Sequence, residues 1–164
     1  MANGIVRVGL VGAGGNTRLR HAPGFRDQSG VEIVSVANRS RESGERFAGE
    51  FEIPKVYDSW VDLINADDTD AICIGTWPYM HRTLTLAALE ADKHVLCEAR
   101  MAMNAKEAHD MLDASRLKPH LIAQIVPAPS TLDVDSTIQG LIADGYLGEI
   151  LAVKLRVSNT EGRA

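Results

Sequence analysis

Cysteine is scarce in this chain, long apolar runs and an excess of positive charge are missing, and each shortage closes off a class of protein. Two cysteines, Cys73 and Cys97, stand in 164 residues. That is too few for a disulfide scaffold, and their spacing is not that of a zinc site, so they read as reduced core thiols. The formal net charge of −5 argues against a general binder of nucleic acid or anionic membrane. No charged stretch followed by an apolar one opens the chain, and no apolar run reaches the length needed to cross a bilayer, so a cytoplasmic protein is expected. There is no internal repeat and no low-complexity segment. What remains is an ordinary globular composition, 45% hydrophobic and 24% charged, long enough to bury a core.

Strand and helix signals alternate along the chain. Strands are expected at Ile5–Val11, Val31–Ala37, Val56–Tyr57, Ala71–Gly75, His94–Glu98 and His120–Val126. Several are continuously apolar or β-branched, the mark of parallel strands covered on both faces. Helices are expected at about Thr17–Gln28, from Ser40 as N-cap to Phe51, at Trp60–Asn65 behind Ser59, and at His81–Ala91, Ala105–Leu117 and Asp135–Asp144. Pro23 and Gly24 should make the first of these irregular, and Pro119 should stop the fifth. The alternation predicts an α/β fold, a doubly wound parallel sheet. A break at Gly145–Gly148 predicts a first domain over 1–148. Residues 149–164 would open a second, with Ile150–Val157 as a strand whose unpaired edge invites self-association.

The strand Ile5–Val11 runs straight into Gly12-Ala13-Gly14-Gly15-Asn16-Thr17. A Gly-x-Gly turn between a buried strand and a helix is a seat for a pyrophosphate. One glycine allows the turn, the next lets backbone N–H groups approach the anion, and the helix presents its positive end. Thr17 stands where a third small residue is usual. At the end of the second strand, Asn38-Arg39-Ser40 has no carboxylate for a ribose diol and offers a guanidinium to a 2′-phosphate, which favours NADP over NAD. The same absence argues against an S-adenosylmethionine site. The loop Thr76-Trp77-Pro78-Tyr79-Met80-His81 and the triplet Glu98-Ala99-Arg100 follow the fourth and fifth strands, on the edge where open α/β sheets bind ligands. No metal site and no catalytic residue is assigned.

These pieces resemble the N-terminal part of the glucose–fructose oxidoreductase and inositol 2-dehydrogenase family. The resemblance rests on Val8–Gly14, Thr76-Trp77-Pro78 with His81, the run from Ala87 to Lys93-His94-Val95-Leu96-Cys97-Glu98, and Leu147-Gly148-Glu149-Ile150. It implies an NAD(P)-binding Rossmann domain followed by a substrate domain of which this chain holds only the start. It also implies hydride transfer at the CH–OH carbon of a sugar, cyclitol or related polyol. By position, Gly12, Ala13, Gly14, Gly15, Asn16 and Thr17 would hold the pyrophosphate, and Asn38, Arg39 and Ser40 the adenosine end. Thr76, Trp77, Pro78 and His81 would line the nicotinamide side, and Glu98 would approach its ribose. The family pattern Glu-Lys-Pro is Glu98-Ala99-Arg100 here. The lysine that orients substrate and assists proton transfer is therefore absent, and Arg100 is a poor proton shuttle. The chain alone is expected to bind cofactor without turnover. The alternative is a stand-alone nucleotide-binding sensor or partner-dependent subunit.

Overall fold

The structure, a computed structural model, describes residues 4–127 and 134–154. Its contacts divide into two compact units, Met1–Pro127 and Ala128–Ala164, a division that falls ahead of the Gly148/Glu149 boundary expected from the change in pattern.

The first unit is built on a six-stranded sheet in the order β3-β2-β1-β4-β5-β6. Its strands are β1 (Val6–Val11), β2 (Val31–Ala37), β3 (Lys55–Tyr57), β4 (Ala71–Ile74), β5 (His94–Cys97) and β6 (Ala123–Ile125), and all pairs are parallel. The helices are α1 (Ala22–Arg26), α2 (Arg41–Phe51), α3 (Trp60–Ile64), α4 (Pro78–Glu90) and α5 (Ala105–Leu117). Alternate strand residues feed two cores. Val8, Leu10, Val36 and Cys73 pack with Ala22, Phe47 and Ala48 of α1 and α2. Val11, Ile72, Ile74, Val95 and Cys97 pack with Leu63, Leu84, Ala88 and Met111 of α3, α4 and α5. This two-sided cover is why the central strands read as apolar runs rather than alternating ones. Each large side chain so buried contributes about 1.5–3 kcal/mol.

Three elements differ from expectation. The irregularity before Pro23 is a π turn at Thr17–His21 running directly into α1. Proline has no N–H for the carbonyl one α-turn back and its ring crowds that carbonyl; the wider turn ahead of it supplies room. α4 begins at Pro78 instead of His81, because a first helical position needs no N–H donor and proline's fixed φ already suits it. β6 is shorter than His120–Val126 because the His94 ring replaces a ladder contact: its Nδ1 accepts from the Ile122 N–H at 3.0 Å.

In the second unit, α6 (Asp135–Ala143) lies where a late helix was expected. The strand expected over Ile150–Val157 is not formed in its described part. Residues 150–154 are irregular, and Leu151 and Val153 are 86% and 85% exposed. A strand needs a neighbour for its N–H and C=O groups, and among the described residues this segment has none. Positions 155–157 lie outside the described residues.

Candidate cofactor site

The carboxyl ends of β1, β2, β4 and β5 share one edge of the sheet, and the strand order reverses between β1 and β4. Loops diverge at such a point and leave a crevice.

The first loop is shaped by two glycines. Gly12 has φ +81°, and a Cβ there would lie 2.5 Å from Thr76 Cγ2 and 2.8 Å from the Thr76 backbone N. Gly75 makes the reciprocal approach, since a Cβ on it would sit 2.6 Å from the Gly12 carbonyl oxygen. Thr17 is buried beside them and its hydroxyl donates to that same carbonyl at 3.4 Å. Thr17 thus serves helix–strand packing, the role of the third small residue in such loops. Gly14 and Gly15 are different: nothing lies within 4 Å of a Cβ built on either.

The N–H groups of the loop separate in the same way. Ala13 donates to Asn38 Oδ1 at 2.7 Å and Gly14 to the Gly12 carbonyl at 2.9 Å. Gly15 and Asn16 have no backbone acceptor among the described residues. They open the helical stretch that leads through the π turn into α1, where free donors and the positive end of the helix coincide.

At the end of β2, Asn38 ties loops together instead of facing outward. Its Oδ1 takes the Ala13 N–H, and its Nδ2 donates to Ser43 Oγ at 3.0 Å. Ser40 is the N-cap of α2, accepting from the Ser43 N–H at 3.3 Å. Arg41 is consumed by Glu45 and Asp58, each at 2.8 Å, and its hydrogen bonds to Asp58 and then Glu45 raise its pKa above the ordinary value. Arg39 is exposed and has no ion-pair partner among the described residues. It lines a cavity of about 290 Å³ with Asn38, Asp58, Trp60 and Thr76. Asp58 and Trp60, walls from the β3–α3 loop and the first residue of α3, carry no sequence signal of their own; only the placement of β3 beside β2 brings them here.

A second cavity, about 350 Å³, lies between the first loop and the ends of β4 and β5, with Gly14, Asn16, Trp77, Pro78, Glu98 and Arg100 on its walls. Trp77 is 75% exposed at its rim. His81 is fully buried and lines neither cavity. Its Nδ1 lies 2.8 Å from the Arg100 carbonyl and its Nε2 2.9 Å from the Thr76 carbonyl, so the ring links the two strand-end loops. Glu98 is buried at the end of β5. Its Oε2 accepts from the Ala99 N–H at 3.0 Å, while Oε1 meets Asn16 Nδ2 and, at 2.5 Å, His21 Nε2. His21 was not singled out by the sequence, because five-residue spacing from Asn16 is not an α-helical repeat.

Cys73 and Cys97 are buried and free. Burial first, and the nearby Glu98 charge after it, push both thiols up to about 12. Among the described residues no group of three or more His, Cys, Asp or Glu is placed to hold a metal, and no helix is long and apolar enough to cross a membrane. Another cavity, about 420 Å³, lies over the sheet face between Val8, Phe25, Cys73 and Leu96. Its apolar walls offer a phosphate nothing.

Comparison with known proteins agrees with this architecture. The family described as "Oxidoreductase family, NAD-binding Rossmann fold" matches residues 6–124. The chain is 31% identical over 151 residues to trans-1,2-dihydrobenzene-1,2-diol dehydrogenase of Bos taurus, covering 92% of this chain and 44% of that protein. It is 39% identical over 110 residues to 1,5-anhydro-D-fructose reductase of Ensifer adhaerens, covering 67% and 33%. Among solved structures it resembles biliverdin reductase of Synechocystis sp. PCC 6803 in complex with biliverdin and NADP+, with TM-score 0.68, 31% identity, and 73% and 37% coverage. It shares the fold of myo-inositol 2-dehydrogenase of Lactobacillus plantarum, with TM-score 0.71, 23% identity, and 89% and 43% coverage. The chain spans less than half the length of these relatives. The chain belongs to the glucose–fructose oxidoreductase and inositol 2-dehydrogenase family, an oxidoreductase family with an NAD-binding Rossmann fold.

Proposed function

We propose that this chain is the NADP-type dinucleotide-binding domain of an oxidoreductase acting on the CH–OH carbon of a sugar, cyclitol or related polyol. One observation carries the cofactor reading: the glycines of the loop with open space around them, Gly14 and Gly15, coincide with N–H groups that have no backbone acceptor among the described residues, those of Gly15 and Asn16. That cradle fits a pyrophosphate, which needs close backbone approach and donors at a helix start. When bound, the nicotinamide ring supplies or accepts a hydride.

The residues then divide the work. Arg39, unpaired beside the 290 Å³ cavity, offers its guanidinium to a 2′-phosphate, while Arg41 neutralises Asp58 in the same wall. Asn38 and Ser40 hold the loop that presents Arg39. On the other side, Trp77 and Pro78 wall the cavity that would take the nicotinamide. His81 fixes the Thr76 and Arg100 backbones behind it. Glu98 offers an acceptor to a ribose hydroxyl.

The NADP-bound biliverdin reductase neighbour supports the cofactor choice, and the sugar reductase relative supports the substrate class. Parallel calorimetric titrations with NADPH and NADH test the reading. Saturable binding with NADPH the tighter by about tenfold, some 1.4 kcal/mol, is expected; no saturable binding of either would sink it. A second reading, a stand-alone nucleotide-binding sensor or partner-dependent subunit without catalytic activity, is favoured by Ala99, which puts no titratable group where the family has lysine. Loss of NADPH absorbance on adding a carbonyl substrate would count against it.

A further inference from the structure

We infer that His21 is a positioning residue for the nicotinamide-ribose end of the site, acting through Glu98; this rests on the dinucleotide reading above. Glu98 is the only acidic residue that is buried among the described residues. A buried carboxylate is tolerated only when donors surround it. The residue that follows it supplies one, the Ala99 N–H on Oε2. The other two, Asn16 Nδ2 and His21 Nε2, both meet Oε1 and both come from the helical stretch after the glycine loop. Oε2 keeps acceptor capacity on the 350 Å³ cavity that Glu98 lines, where a ribose hydroxyl is the natural donor.

The π turn makes this geometry. Residues five apart project about 140° from each other around an α-helix. In a π turn, whose hydrogen bonds run from i to i+5, they fall close to the same side. Thr17–His21 is that turn, and it brings Asn16 and His21 to one oxygen. The His21 side chain is 11% exposed and its ring lies 6.4 Å, centroid to centroid, from Phe25, so it is held from behind. Asn16 also carries an N–H group of the loop with no backbone acceptor among the described residues. The carboxylate and the anion seat are therefore fixed by the same short segment. His21 touches neither cavity, and its influence passes through Glu98.

The test titrates this chain calorimetrically with NADP+ and with 2′,5′-ADP, which reaches only the adenosine end. For His21→Leu, NADP+ should bind about tenfold more weakly while 2′,5′-ADP binds as to wild type. His21→Gln, whose amide still reaches Glu98, should recover most of the loss. In a Glu98→Gln background, His21→Leu should add little. If His21→Leu does not fold, His21→Asn, whose amide falls short of Glu98, takes its place with the same expected loss. Unchanged NADP+ affinity in these variants, or equal weakening of both ligands, overturns the proposal while leaving the dinucleotide reading intact. A wild-type chain that binds neither ligand overturns both.

Discussion

Replacing Gly12 and Gly14, each by alanine, should separate folding from binding within one loop. At Gly12 the new Cβ would stand 2.5 Å from Thr76 Cγ2 and 2.8 Å from a backbone nitrogen that cannot swing away, at a φ of +81°. The left-handed backbone costs an alanine about 1–2 kcal/mol, and forcing the β1 and β4 loops apart adds about 1–3 kcal/mol. Gly12→Ala should therefore lose on the order of 3 kcal/mol, or roughly 10 °C in Tm for a chain of this size. At Gly14 nothing lies within 4 Å of the new Cβ, and φ is not positive. Gly14→Ala should leave stability within about 1 kcal/mol of wild type, with any gain coming from a stiffer unfolded chain. The same methyl stands in the space a pyrophosphate would use, so NADP+ affinity should fall at least about tenfold. Urea unfolding followed by circular dichroism reads the first effect and calorimetry the second. A Gly14→Ala variant as unstable as Gly12→Ala would refute the assignment of open space. Full NADP+ affinity in Gly14→Ala would place the anion seat elsewhere.

At the opposite end of β1, Asp70 accepts from the Arg7 backbone N–H, Nε and Nη2 at 2.9, 2.9 and 2.7 Å, which together hold its carboxyl down at about 2. A depressed carboxylate stabilises the fold fully above its unfolded value and loses that contribution as pH falls through the folded one. Asp70→Asn should thus cost about 2 kcal/mol at neutral pH, with the gap to wild type closing between about pH 5 and pH 2; a gap that holds constant in urea midpoints across that range would contradict the pairing. Cys73 and Cys97, with thiols pushed up to about 12, should resist a thiol-alkylating reagent in the native chain at about pH 8 and react in urea. Native labelling at the rate of a free thiol would show that the strand ends open.

Much of this architecture was legible because its causes are local. Continuous apolar strands, Ser40 and Ser59 as N-caps, and the glycine turn after β1 are each decided within a few residues, and the structure places all of them as expected. What escaped depends on residues distant in sequence or on departures from regular spacing. Thr17 looked too large for its position, yet the missing Cβ of Gly75 accommodates it. His81 was expected to line the nicotinamide side, but the two carbonyls that capture its ring belong to Thr76 and Arg100, and no periodicity announces that pairing. Asp58 and Trp60 enter the adenosine-side cavity only because β3 pairs with β2. Residues 150–154, the described part of the strand expected over Ile150–Val157, show the converse failure: alternation is a necessary sign of a half-buried strand, but a strand forms only beside a partner.

Asn38 offers the sharpest test of the adenosine end, because one atom there separates scaffold from selectivity. Asn38→Asp keeps an oxygen for the Ala13 N–H, and Ser43 Oγ, now receiving from Asn38 Nδ2, can turn its own hydroxyl to donate instead. The fold should therefore hold within about 1 kcal/mol. The charge, in contrast, changes where it matters, beside Arg39 in the same 290 Å³ cavity. A carboxylate about 6 Å from a phosphate charge costs roughly 2–3 kcal/mol at an effective dielectric near 20, so NADP+ affinity should drop about thirtyfold to somewhat over a hundredfold. A carboxylate also accepts from a ribose diol, so NAD+ should bind as well as or better than to wild type. The preference would invert without a change in Tm. If the NADP+ to NAD+ ratio stays the same while both still bind, the 2′-end of the ligand does not lie at Asn38–Ser40, and Arg39 is merely a solvated cation at the start of α2.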